Sequence, residues 1–416
     1  SSPTLFPDWT YEPMSATYLD ASNVRTRDLA LQRAIRANLG RSATDTDQPP
    51  WRIAWREGRG RCLVAARDLP AGALVFVERP LVVAETRTSG DERLRGEAQA
   101  VALELLRRPV QAALHLCRPS LSAGSEEAAS LAKATAEFAA AVPEHDAQKA
   151  GFWLGIASVN VHGTAKPARA YLGLLASMME HDCAPAGIVT IGADAVTYRT
   201  RRAVAAGEPL SISYVASYQP TATRRFQLRA QHGFACDCRR CEVSPELVRC
   251  FQCPRDGCGG AASPASSRRD CRALVCDDCC DATAGESLRL DDAGWAALVA
   301  AEESAVLSAG CLARLHPYHH RMVSAYRANA HKVPIAGGQR AEVFCQFADA
   351  QIRLTGNPHD PLAAADLERA AVAFRAAGDA EQAASTGSAA ADAYAAHFGM
   401  DSAEARRCRR AIEGVG

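Results

Sequence analysis

A chain of 416 residues exceeds what one compact core usually holds, and two or three domains are expected. Hydrophobic residues make up 48% and charged residues 23%, with a formal net charge of zero. That balance excludes bulk attraction to nucleic acid or to a membrane surface, and no apolar run approaches the ~20 residues that span a bilayer.

Residues 1–50 read as an N-terminal extension. They are polar, with one helix candidate at 26–39 and a linker at 44–50 (TDTDQPP). The opening residues 1–20 are mixed and polar and do not resemble a signal peptide, so a cytoplasmic or nuclear setting is expected. From Trp51 the texture changes. Strand patterns are expected at 61–69 and 74–85, separated by the turn Pro70-Ala71-Gly72. Apolar residues recurring at three and four predict helices at 94–116 and 126–141. Strand texture returns at 188–191, 195–198 and 210–215. After 291 the chain turns alanine-rich. Helices are expected at 294–308, 319–329, 339–354, 362–377, 380–398 and 403–414. Their pairing looks tetratricopeptide-like, although a plain helical bundle fits nearly as well.

Sixteen cysteines in a reducing compartment are poor material for disulfides. Ten of them fall between Cys236 and Cys280, a density that indicates metal binding. Cys236, Cys238 and Cys241 form C-x-C-x-x-C, three thiolates that can face one tetrahedral Zn²⁺. Three is one short of a closed site, and Cys183 is the candidate fourth ligand. A second set has the spacing of a zinc ribbon. Cys253, Cys258, Cys276 and Cys279 are favoured, because Cys258-Gly259-Gly260 supplies a tight knuckle; Cys250 in place of Cys258 is the rival. Two zinc ions are expected, or one if some of these thiols stay free.

Several separated segments, taken in order, resemble the SET- and MYND-domain (SMYD) lysine methyltransferases. They are Gly58-Arg59-Gly60-Arg61, Val159-Asn160-Val161, Ser177 with Glu180-His181-Asp182-Cys183-Ala184-Pro185, Gly207-Glu208-Pro209 running to Tyr214, Gly233-Phe234-Ala235-Cys236, and Leu315-His316-Pro317-Tyr318-His319. The resemblance implies an α+β fold. A SET domain, β-rich, in two parts (51–85 and 151–235) would carry a helical insertion (86–150). A zinc-binding post-SET region (236–290) and an α-helical, TPR-like C-terminal domain (291–416) would follow. The family's MYND finger has no counterpart, since residues 85–151 hold one cysteine, Cys117.

The resemblance also implies an activity, S-adenosylmethionine-dependent methylation of a lysine on a histone or other protein. Tyr214 would be the catalytic tyrosine. Cofactor contacts would fall to Arg59, Arg61, Asn160, Ser177, Glu180, His181 and Phe234. A guanidinium from Arg59 or Arg61 suits the cofactor's carboxylate, and Phe234 offers a face to its adenine. The implied partner is a lysine-bearing protein; no direct nucleic-acid or membrane contact is expected, and the oligomeric state is open, with a monomer favoured. Four positions depart from the family pattern: Glu57, Glu180, Ala186 and His232. They keep open a second reading, a SET fold with weak or lost catalysis that acts as a protein-interaction scaffold.

Overall fold

The computed structural model describes residues 35, 49–56, 60–86, 93–110, 112–113, 116, 126–165, 168–192, 194–242, 245–267, 271–281, 285–304, 308–329, 337–400 and 402–413. The expected helix at 26–39 lies outside these apart from Ile35. Arg59, Glu57 and Cys117 lie outside them as well.

Small sheets, mostly antiparallel, surround the main apolar core. β1 (Trp51–Arg56) and β2 (Gly60–Ala65) form a hairpin with Ala54 opposite Cys62. β3 (Leu74–Glu78) pairs with β9 (Val196–Thr200), which pairs in turn with β8 (Gly187–Ile191). β4 (Val82–Glu85) and β5 (Val161–Ala165) flank β6 (Ala168–Leu172). The expected strand at 74–85 is therefore two strands. Pro80 interrupts it, because proline has no N–H for the ladder. Of the expected strand 210–215, Ser211–Ile212 (β10) pairs in parallel with Glu180–His181 (β7), and the Leu210 N–H donates to Leu63 O of β2 at 2.9 Å.

Leu63, Phe76, Leu105, Ile156, Leu172, Leu174, Leu175 and Tyr198 share the core beneath these sheets. Phe76 and Tyr198 stack at 5.6 Å. Helix α1 (Arg93–Arg107) stops short of the expected 116, since Pro109 disfavours helical geometry in the residue before it. Helix α2 (Glu126–Ala141) follows. Helix α3 (Ala147–Asn160) escaped the periodicity argument for a physical reason. Ala150, Trp153, Leu154, Ile156 and Ala157 are all buried, so it shows no single apolar stripe. Asp146 caps it by accepting the Lys149 N–H at 2.9 Å.

Helix α4 (Thr221–His232) ends on Gly233, whose φ of 75° suits glycine. A ribbon of four short strands follows: β11 (Phe251–Gln252), β12 (Ala261–Pro264), β13 (Ala273–Cys276) and β14 (Leu288–Arg289). The chain then becomes helical, with α5 (Asp292–Glu303), α6 (His320–Asn329), α7 (Gly337–Thr355), α8 (Pro361–Ala376), α9 (Ala380–Phe398) and α10 (Ala403–Glu413). Helices α7 to α10 pack each on the next. Buried alanines such as Ala364, Ala370, Ala390 and Ala391 line those seams. Among the described residues no helix is long and apolar enough to cross a membrane.

Candidate functional site

Four sulfurs meet where the β7–β10 pair faces α4. The Sγ atoms of Cys183, Cys236, Cys238 and Cys241 all lie within 4.8 Å of one another. Cys183 is 3.9 Å from Cys236 and 3.5 Å from Cys241. A tetrahedron built on metal–sulfur bonds of ~2.3 Å has an edge of about 3.8 Å, so the arrangement fits a four-coordinate ion such as Zn²⁺. The surrounding donors fit as well. The guanidinium of Arg224, which is fully buried, points Nε at Cys183 Sγ (3.2 Å) and Nη2 at Cys241 Sγ (3.5 Å). Contact with Cys183 and the other thiols, aided by Arg224, holds Cys241 well below the usual thiol range. Four thiolates on a dication leave a net charge of −2, and Arg224 offsets part of it. The role of Arg224 is visible only in the fold.

A second set lies in the ribbon. Cys253, Cys258, Cys276 and Cys279 also sit within 4.8 Å of one another. Cys253–Cys279 is 3.6 Å and Cys258–Cys276 is 3.7 Å, the same tetrahedral spacing. Cys250 does not join them. Its thiol donates to Leu247 O at 2.8 Å and lies 3.2 Å from Arg353 Nη1, so it belongs to the contact between ribbon and α7.

Glu302, His319 and His320 form a third cluster of possible ligands. Hydrogen bonding assigns it otherwise. The Arg321 N–H donates to His319 Nδ1 at 3.2 Å, and His320 Nε2 lies within hydrogen-bond reach of Glu302 at 3.4 Å. Arg249 grips the same carboxylate with Nε at 2.8 Å and Nη2 at 2.5 Å. This is a partly buried network built on the Arg249–Glu302 ion pair.

Beside the first thiol set opens a cavity of about 560 Å³, within the roughly 300–1,000 Å³ of small-molecule sites. Tyr214, Asn160 and Ser177 line it, together with Glu97, His162, Ser213 and His232. Tyr214 Oη donates to Met179 O at 2.5 Å, which pins the hydroxyl at the wall. Ser177 Oγ donates to Gly173 O at 2.5 Å, and Asn160 Nδ2 to Ile156 O at 2.7 Å. The loop carrying Ser177 is anchored from below. Buried Glu78 accepts the N–H groups of Leu174, Leu175 and Ala176 at 3.0, 2.9 and 2.7 Å. A Cβ at position 173 would strike that carboxylate, hence Gly173. Burial nevertheless pushes the Glu78 pKa up to about 7.

Glu180 is buried, and Arg56 of β1 forms an ion pair with it. The acid that departs from the family pattern is thus matched by a base that no motif included. His181 bridges Tyr214 and Cys183, with Tyr214 N at 3.0 Å from Nδ1 and Cys183 Sγ at 3.2 Å from Nε2. Phe234 stands 6.0 Å from the His181 ring, and His232 stands 4.8 Å from the Tyr214 ring. Burial, and secondarily His162, lowers the His232 pKa to about 4, so this ring is neutral near pH 7. Arg61 lies on β2 opposite Trp55 and is not among the residues lining the cavity. Glu97 and His162, which do line it, were missed. Glu97 sits in the insertion, for which no motif was read, and it occupies the space that Gly163 leaves.

Residues 60–215 match the SET domain family model. Histone-lysine N-methyltransferase SMYD3 of Mus musculus is 36% identical over 67 residues, and N-lysine methyltransferase SMYD2-B of Xenopus laevis is 34% identical over 67. In both cases the match covers 16% of this chain and spans only 16% of the relative's length. Among solved structures, Rubisco LSMT bound to AdoMet superposes with a TM-score of 0.39 at 12% identity, covering 93% of this chain and 96% of that one. The match to the SET domain model thus belongs to residues 60–215, and a 67-residue stretch is similar to SMYD3 and SMYD2.

Proposed function

We propose that this chain is an S-adenosylmethionine-dependent protein-lysine N-methyltransferase. The observation that carries the reading is Tyr214, its hydroxyl pinned on Met179 O at the wall of the 560 Å³ cavity. The methyltransferase activities of SMYD3 and SMYD2 support the same reaction class. When bound, the cofactor supplies an electrophilic methyl group on a sulfonium. The chain's own residues supply position and electrostatics. Tyr214 Oη, already donating to a carbonyl, keeps lone pairs for the substrate amine. The neutral ring of His232 adds no positive charge against an incoming cation. Glu180 would take the cofactor's ammonium, with Arg56 balancing its charge. Asn160 and Ser177 would meet the amino-acid end, Phe234 the adenine, and Arg59 or Arg61 the carboxylate.

Each four-thiol set would hold a Zn²⁺. Both are closed sites, so their contribution is folding free energy and not chemistry. The reduced thiols suit a cytoplasmic or nuclear protein. The substrate class is a lysine-bearing protein.

The deciding experiment is calorimetric titration of the zinc-loaded protein with S-adenosylmethionine and S-adenosylhomocysteine. Saturable binding that is lost in Asn160→Ala supports the enzyme. No binding by the zinc-loaded wild type would refute it and favour the scaffold reading.

A further inference from the structure

Both ring nitrogens of His181 are engaged, and on different business. The Tyr214 backbone N–H donates to Nδ1 at 3.0 Å, which requires the lone pair there. A neutral imidazole then carries its proton on Nε2. That nitrogen lies 3.2 Å from Cys183 Sγ, one corner of the four-cysteine set. The ring is buried, and its place is fixed by the β7–β10 pairing that sets His181 opposite Ile212, two residues before Tyr214. One rigid side chain thus connects a metal-binding sulfur to the backbone of the cavity's tyrosine.

We infer that His181 is a positioning residue. Its Nε2–H donates to the metal-bound sulfur of Cys183, and its Nδ1 fixes the backbone of Tyr214, so that metal in the four-cysteine site holds Tyr214 at the cavity wall. A sulfur held on a metal keeps lone pairs directed away from the ion, and an N–H to such a thiolate is a charge-assisted bond. The bond orients the ring, and the ring's other nitrogen then has one position in which to receive Tyr214. The side-on contacts with Tyr214 (5.3 Å between centroids) and Phe234 (6.0 Å) keep the ring from turning. The role of Tyr214 in this account rests on the methyltransferase reading. The bridge itself does not.

The test uses the full chain loaded with Co²⁺, whose thiolate charge-transfer band reports the electron density on sulfur, together with amide hydrogen exchange at Tyr214. Neither needs cofactor or substrate. His181→Asn keeps an acceptor near Nδ1 and loses the donor to sulfur. His181→Gln keeps a donor near Nε2 and loses the acceptor. In the Asn variant the band should move to lower energy and metal affinity should fall roughly 10- to 100-fold, with the Tyr214 amide still protected. In the Gln variant the band should stay and the Tyr214 amide should exchange. His181→Phe should show both losses. Stripping the metal from the wild type should release the Tyr214 amide. An unchanged band and amide in His181→Phe would overturn the inference; if that variant does not fold, identical behaviour of the Asn and Gln variants would do so. A wild type that shows the bridge but binds no S-adenosylmethionine would sink the methyltransferase reading alone.

Discussion

Asp360→Asn should destabilise the protein by about 3–5 kcal/mol, because one buried ion pair ties the SET core to the C-terminal helices. Asp360 is fully buried and Arg201, just past β9, is only 8% exposed. Their ion pair is reinforced by Asn357 Nδ2, which donates to Arg201 O at 2.9 Å. Asp360 also caps α8, accepting Leu362 N at 2.9 Å and Ala363 N at 3.3 Å. Removing one member of a buried pair leaves an uncompensated charge, which costs about 3–5 kcal/mol. Losing an N-cap costs about 1 kcal/mol more. Asparagine keeps the cap and removes the charge; alanine removes both. Asp360→Ala should therefore cost about 1 kcal/mol beyond Asp360→Asn. Adding Arg201→Leu to Asp360→Asn should recover part of the loss, since no buried charge is then unpaired. Urea unfolding followed by circular dichroism, at constant zinc content, measures all three. A cost below about 1 kcal/mol for Asp360→Asn would refute the argument, because Arg201 would then have found water or another partner.

Three further predictions follow from the site. Elemental analysis should find two metals per chain in Cys250→Ser and one in Cys258→Ser, and equal loss in both would return Cys250 to the ribbon site. Glu78 has a pKa raised to about 7, so its contribution to stability is fully present below pH 4.5 and is lost as pH rises through 7, by about 3 kcal/mol. Melting curves from pH 5 to 8 should fall steadily for the wild type and flatten in Glu78→Gln; parallel curves would show that the three N–H donors keep the carboxylate ionised throughout. Glu97→Gln should raise the KM for a lysine peptide about 10-fold or more, with kcat changed less, as a charge-assisted contact in a cavity would require. A kcat loss at constant KM would instead mean that Glu97 shapes the transition state.

What could be read from the sequence divides along physical lines. Thiol spacing is a local property, and Cys236, Cys238 and Cys241 have the spacing of metal ligands without any knowledge of the fold. Cys183 is harder, because its membership depends on β7 lying beside β10. The terminal helices were legible from their alanine-rich composition and α2 from periodicity, and α9 and α2 have the bounds expected. Helix α3 was not, since a helix buried all round has no stripe to detect. Partners across elements were invisible. Nothing in the sequence couples Arg56 to Glu180 or Glu97 to Gly163, because those pairings exist only after β1 and α1 have packed. The departure at position 180 looked isolated when it was one half of an ion pair.

The four-cysteine set has a topological consequence. Cys183 and Cys236 are 53 residues apart, and between them lie Tyr214, His232 and Phe234. A metal joining these sulfurs closes a loop around almost every residue that would handle the amine. By the entropy of cross-linking, a ring of that size removes on the order of 4 kcal/mol of freedom from the unfolded chain. During synthesis Cys183 must wait until the loop and the three later cysteines have emerged. The pocket and its clasp therefore mature together, and a chain cut short before Cys241 would carry the tyrosine without the knot that fastens it.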